Sequence, residues 1–304
     1  MNLNSFYCSD LSRADAEKTY GTASVGAFWM LLEYPFAWNS NALEESNLSA
    51  SVKAHLKGVV KQVPHGRLLF IKKERSRLKH IKLFIVRCHE SEPYVVRLEL
   101  EDYQQLLDID LASVTNKNLP AGGSISHEPL FLICTHGRRD KCCAKFGYPL
   151  FRSLSEGFGQ SVWQSSHVGG DRFAANLICF PHGLFYAHVT TEVGKAIMKE
   201  YQERRLALQN YRGRACYSYP VQAAEFFIRS ESGISDIDDL RYLEHARLGE
   251  GKWQVRFLQR AEGLVHVVKV SRFMSDFQNY VTCHAVHERP VPQFQLDDYE
   301  IVQR

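Results

Sequence analysis

The stretch CTHGRRDKCCAKFGYPL, residues 134–150, places three of the chain's eight cysteines within ten positions, together with His136 and the cations Arg138, Arg139, Lys141 and Lys145. The thiolate, not the thiol, is the nucleophile and the metal ligand, and it is favoured by nearby cations and by the free amides of a helix start. Cys134 falls where an apolar run stops, and Cys142 and Cys143 fall where the next helix would begin, so the residues between them must arch over as a loop. Two adjacent cysteines at a helix start point in different directions. At most one is expected to face the same object as Cys134, and Cys142 is expected to belong to the core.

A second constellation follows in SSHVGGDRFAAN, residues 165–176. Gly169 and Gly170 allow a tight turn, close backbone approach to a bulky group and a nest of amide donors. His167 stands at the end of a strand-like run directly before that turn. Alone it reads as a hydrogen-bonding loop residue; beside a cysteine loop that the fold brings close, it becomes a candidate ligand.

Several chemistries compete for these residues. A structural zinc site usually has short Cys-x(2–4)-Cys knuckles, which the spacing from Cys134 to Cys142 or Cys143 does not provide. A thioredoxin-type dithiol needs Cys-x-x-Cys on a first helical turn, and that spacing is absent. An iron–sulfur cluster tolerates wide loops because its ligands surround a larger body, and histidines can replace cysteines on one iron. A thiol enzyme or peroxide sensor, with Cys142 or Cys143 activated by Arg138, Arg139 and Lys141, remains the metal-free alternative.

The elements that must position these groups can be outlined from hydrophobic pattern. EPLFLICTHG is a buried strand ending in a loop at Cys134, AKFGYPLFRSLSEGFG has helical apolar spacing, and QSVWQSSH is a second strand. NLICF-PHG-LFYAHV reads as a hairpin around a Pro-His-Gly turn, followed by a helix at about 192–208. In outline this order is thioredoxin-like. Upstream, a capped helix near 40–63 and the runs GRLLFIKK, IKLFIVRC and PYVVRLEL suggest a separate α/β unit, and the polar TNKNLPAGGSIS (115–126) links the two. Downstream, a helix at about 221–229, an acidic stretch and two strand-like runs, KWQVRFLQ and LVHVVKVS, precede a polar tail. The expected divisions are residues 1–115, 126–210 and 211–304. Cys8 and Cys88 are too far apart in sequence to read as a site.

With 304 residues, 45% of them hydrophobic, and a net charge of +3, the chain is expected to be globular, with a mixed solvated surface and no nucleic-acid partner. No run of about 18 apolar residues occurs, and the start lacks the cationic and apolar regions of a signal peptide, so the expectation is a cytoplasmic protein without membrane association. In a reducing compartment, clustered cysteines point to metal or redox chemistry ahead of disulfides. Glycoside hydrolysis is not expected, since no carboxylates pair in a recognisable glycosidase setting; SDIDDL (235–240) reads as a solvated loop and helix cap. NYRGRACYSYP (210–220) fits an anion or partner-docking loop and core packing equally well.

Together, CTHGRRDKCCAKFGYPL, HVGGDRFAANLICFPHGLFYAHV, NYRGRACYSYPVQAAE and KWQVRF resemble the sucrase/ferredoxin-like family, as does CSDLSRADAEKTYGTASVGAFWMLLEYPFAW at the N-terminus. The likeness spans nearly the whole chain. It implies a thioredoxin-like ferredoxin core, flanked by an additional N-terminal α/β domain and a C-terminal α+β extension. Fungal members hold a [2Fe–2S] cluster through two cysteines and a His-x-Gly-Gly-His pair. By motif position this implies Cys134, Cys143 and His167 as ligands, with Gly169, Gly170, Arg172 and Arg138 supporting the loops. The fourth position is Asp171 in place of histidine. A carboxylate is a hard ligand that suits ferric iron. It ranks ahead of His136, Cys142, Cys179 and His182, because Cys179 falls in a strand and His182 in a turn. The remaining alternatives are that Asp171 only fixes the loop by pairing with Arg172, or that no stable cluster forms. The expected function is one-electron transfer or redox sensing with an unidentified redox partner protein.

Overall fold

The computed structural model describes residues 6–74, 79–110, 114 and 118–303. Its fold is mixed α/β, with one ten-stranded sheet in the order β10-β9-β8-β6-β7-β2-β1-β3-β4-β5 and a second, four-stranded sheet. The strands of the large sheet are β1 (Phe28–Glu33), β2 (Gly66–Lys72), β3 (Ile81–Arg87), β4 (Tyr94–Leu100), β5 (Ser124–Ser126), β6 (Leu130–Cys134), β7 (Val162–Ser165), β8 (Leu177–Phe180), β9 (Leu184–Tyr186) and β10 (Tyr211–Arg214).

At its centre β6 is buried throughout, which is why LFLIC reads as a continuous apolar run. Its side chains still alternate. Phe131 and Ile133 pack with Leu150, Phe151 and Leu154 of α3 (Tyr148–Phe158) and with Ile197, Met198 and Tyr201 of α4 (Thr191–Gln202). Leu130, Leu132 and Cys134 face the opposite core, with Trp29, Trp163, Ile178 and Cys143. Strand β6 runs parallel to β7, with Cys134 opposite Ser165, and antiparallel to β8, which pairs antiparallel with β9. The loops leaving β6 and β7 therefore emerge side by side, at the carboxyl ends where open α/β sheets place ligands. A short antiparallel contact, Ile71 opposite Ser165, continues the sheet from β7 into β2.

Several expectations change in detail. The helix expected at 40–63 is α2 (Ala50–Gln62), because Ser49 accepts from the Val52 N–H as an N-cap and the preceding Asn/Ser-rich residues form turns. Strand β1 adds to the expected set, lying between β2 (parallel) and β3 (antiparallel). The expected link at 115–126 begins outside the described residues, at 115–117, and ends in β5, which pairs with β4. The polar tail is in fact β14 (Arg289–Gln303), paired along β13 (Leu264–Asn279). With β11 (Leu240–Gly249) and β12 (Lys252–Gln259) these form the antiparallel second sheet, against which α5 (Tyr219–Ser232) buries Val221, Ala224, Phe227 and Ile228. The pattern misses β14 because most of its residues stay at least partly exposed, so no apolar stripe marks it. No described helix is long and apolar enough to cross a membrane.

Candidate metal centre

The loop after β6 turns back into a helical segment that starts at Lys141, passes through a π-helical stretch, Cys143–Gly147, and continues as α3. Gly147 lets that segment lie on the end of β6, since a Cβ there would fall on the Cys134 carbonyl oxygen. This close approach carries Cys143 back over Cys134. The loop after β7 brings in His167, and the donor atoms of Cys134, Cys143 and His167 all lie within 4.8 Å of one another.

Asp171, from the same loop, lies beside two of these donors without joining the group of three. Its Oδ1 is 3.2 Å from His167 Nδ1 and 3.7 Å from Cys143 Sγ, and Cys143 Sγ is 4.0 Å from His167 Nδ1. The loop-fixing alternative paired Asp171 with Arg172, but Arg172 Nε binds the buried Glu17 at 2.7 Å and leaves Asp171 to the thiol and the imidazole. Cys134 and Cys143 are buried, and the Asp171 side chain is 9% exposed. His167, at 21%, is the most exposed of the four.

Gly169 and Gly170 have φ of +89° and +78°, a region closed to most side chains. Their turn is held from below by Arg212, whose Nη1 donates to Asn176 Oδ1 at 2.7 Å and to the Gly169 carbonyl at 3.3 Å; Asn176 in turn donates to the Gly170 carbonyl. Arg212 and Arg214 are both buried, so these arginines of NYRGRACYSYP serve the interior, not a docking surface. His136 is second support: its Nδ1 accepts the His167 backbone N–H at 3.2 Å and its Nε2 reaches the Asn39 carbonyl at 2.7 Å. Burial pushes its pKa down, which favours the neutral form that can play both parts. Arg138 is exposed and touches the scaffold through its carbonyl, which accepts from Ser40 Oγ.

Electrostatically the centre behaves as one unit. Hydrogen bonding from Cys143, and then His167, pulls the Cys134 thiol well below its ordinary pKa against the opposing effect of burial. The Cys143 thiol is pushed up by that same hydrogen bond and by burial. Burial works against a charged His167, yet the hydrogen bond and negative charge of Cys134 raise its pKa overall. Asp171 is raised chiefly by burial. Two sulfurs, an imidazole and a carboxylate thus share charge in a nearly dry pocket, a donor set fitted to a metal ion.

The other candidates lie elsewhere. His182 is buried, with Nδ1 2.6 Å from the Tyr201 hydroxyl, and Cys179 sits in the helix-side core. Cys142 turns away from Cys143 into a second group with Cys8, Cys283 and Asp140, which sequence reasoning missed because its members lie as much as 275 residues apart. Cys142 and Cys143 are both fully buried, and the Cys142 thiol, hydrogen-bonded first of all to Cys283, is pushed up to about 12. Neither is placed as an accessible nucleophile.

No curated protein and no solved structure matches the chain. A family model, sucrase/ferredoxin-like, matches residues 19–213, which is more than half of the chain and includes all four residues of the centre. The chain belongs to the sucrase/ferredoxin-like family.

Proposed function

We propose that this chain is an iron–sulfur redox protein that carries or senses single electrons through a [2Fe–2S] cluster held by Cys134, Cys143, His167 and Asp171. The observation that carries this reading is the meeting of the Cys134/Cys143 loop with the His167/Asp171 loop at the carboxyl ends of β6 and β7. When bound, the cluster would supply a one-electron couple. The thioredoxin-like reading of 126–210 is supported by the order β9-β8-β6-β7, with β6 parallel to β7 and the other two pairings antiparallel.

The chain's own residues have separable tasks. Cys134 and Cys143 hold the site on its buried side. His167 presents Nδ1 to Asp171 and Cys143, and a ligand bound there would leave Nε2 to carry an exchangeable proton. His136 and Arg212 fix the backbone of the second loop. A redox partner protein would approach at the partly exposed His167, and the cytoplasm is the compartment that suits so many reduced thiols.

A second reading is favoured by the spacing of the donors. Cys143, His167 and Asp171 stand 3.2–4.0 Å apart, the spacing of three ligands around a single ion. Anaerobic purification, followed by iron and acid-labile sulfide assays and a visible spectrum, separates the two. About two irons and two sulfides per chain are expected, lost in Cys134→Ser and Cys143→Ser and kept in Cys142→Ser. A metal without sulfide would select the single-ion site. Colourless protein that stays free of iron and sulfide after reconstitution would remove the cluster.

A further inference from the structure

Adjacent cysteines in this chain serve opposite directions. While Cys143 faces Cys134, Cys142 Sγ lies 3.6 Å from Cys8 Sγ and 3.2 Å from Cys283 Sγ, and the latter two are 3.5 Å apart. Three thiols from the start of α1 (Cys8–Ala14), the helical segment after β6 and the β13–β14 connection thus form a nearly equilateral triangle in the interior.

The fourth member is Asp140, fully buried. Its Oδ1 accepts the Cys142 N–H at 2.8 Å and its Oδ2 the Cys283 N–H at 2.7 Å, and the groups that act on its charge, Cys283, Cys142 and Asp171, include no cation. A buried carboxylate costs several kcal/mol unless a positive charge compensates it. Here its hydrogen-bond partners are two backbone amides, and the donor atoms grouped with it are thiols. A divalent cation would relieve both problems, by compensating the carboxylate and by taking the sulfurs as thiolates.

Size selects the occupant. Sulfurs bound to one zinc at about 2.3 Å stand ~3.8 Å apart in a tetrahedron, a few tenths of an ångström more than the edges observed. A disulfide needs ~2.05 Å, far less than any of the three edges. We infer that Cys8, Cys142, Cys283 and Asp140 form a second, closed site that binds a single zinc ion. With three sulfurs and one oxygen it has no open position, and its members are buried, so the role is structural. It clamps the N-terminal helix and the β13–β14 connection to the loop that delivers Cys143. The Ser9 backbone N–H, 3.5 Å from Cys142 Sγ, supplies an outer hydrogen bond to a sulfur ligand. Loading displaces the thiol protons to solvent and involves no electron transfer.

The test uses the full chain, purified anaerobically, with zinc and iron measured separately. About one zinc per chain is expected in the wild type and in Cys134→Ser, and none in Cys283→Ser. Cys283→His should keep the metal and, loaded with cobalt(II), show tetrahedral bands with weaker thiolate charge transfer. Because Cys283→Ser could fail to fold, the unmutated chain is also alkylated before and after chelation: Cys8, Cys142 and Cys283 should be protected until the chelator is added. Wild-type protein that takes up neither zinc nor cobalt, a Cys142–Cys283 disulfide in the anaerobic sample, or zinc that follows Cys134 instead of Cys283 would overturn the inference. Since iron and sulfide are read separately from zinc, failure here leaves the cluster reading standing, and the reverse.

Discussion

Replacing Gly170 by alanine tests whether the turn before Asp171 is held as tightly as the geometry indicates. Two costs apply. A side chain at φ +78° is disfavoured by about 1–2 kcal/mol. The new Cβ would also stand 2.6 Å from Arg212 Nη2, on a guanidinium that is itself buried and hydrogen-bonded to Thr22, Gly169 and Asn176, so it cannot swing away; overpacking of this kind costs ~1–3 kcal/mol. The sum is about 2–5 kcal/mol. Gly233, at the C-terminal end of α5, separates the two terms: its φ is +73° but a Cβ added there would meet nothing within 4 Å, so Gly233→Ala should lose only ~1–2 kcal/mol. Urea unfolding of both variants measures the difference, and metal content shows whether Asp171 and His167 are displaced. If Gly170→Ala is no less stable than Gly233→Ala and keeps its full metal content, the tight-cradle argument is wrong.

Three further outcomes are expected. Glu225→Gln would leave Arg214 and Arg229, 3.1 and 3.2 Å away, buried without their shared carboxylate, and equilibrium unfolding should show a loss of ~3–5 kcal/mol. His188 has its pKa lowered from 6.5 to about 4, first by burial and then by Arg13. A folded value below the unfolded one means that its stabilising contribution is complete above about pH 6.5 and is lost as pH falls through about 4, for a total of at most ~3 kcal/mol. His188→Gln should flatten this acid limb, and an unchanged stability profile over that window would refute the assignment. Finally, under the proposed [2Fe–2S] reading, Asp171→His should raise the reduction potential because a neutral ligand replaces an anion; in the wild type, voltammetry should show a slope of about 59 mV per pH unit if one His167 proton accompanies each electron. A flat profile would exclude a protonatable His167 ligand.

Local patterns identified much of what surrounds the centre. The apolar run ending at Cys134, the helical spacing after Cys143 and the paired glycines before Asp171 were each legible because strand, helix and tight turn impose short-range rules on residue type. The same rules placed Cys142 and Cys143 on different sides of a helix start. What lay beyond them was every relation between distant segments. Whether Asp171 paired with Arg172 or with His167 depended on Glu17, 155 residues from Arg172, which captures the guanidinium. The ambiguity of NYRGR was resolved by burial, since Arg212 supports the turn and Arg214 joins Glu225 inside the core. Cys8 and Cys283 carry no local signature, because three thiols converge there from the two ends and the middle of the chain, and only tertiary packing can bring such residues within 3.6 Å.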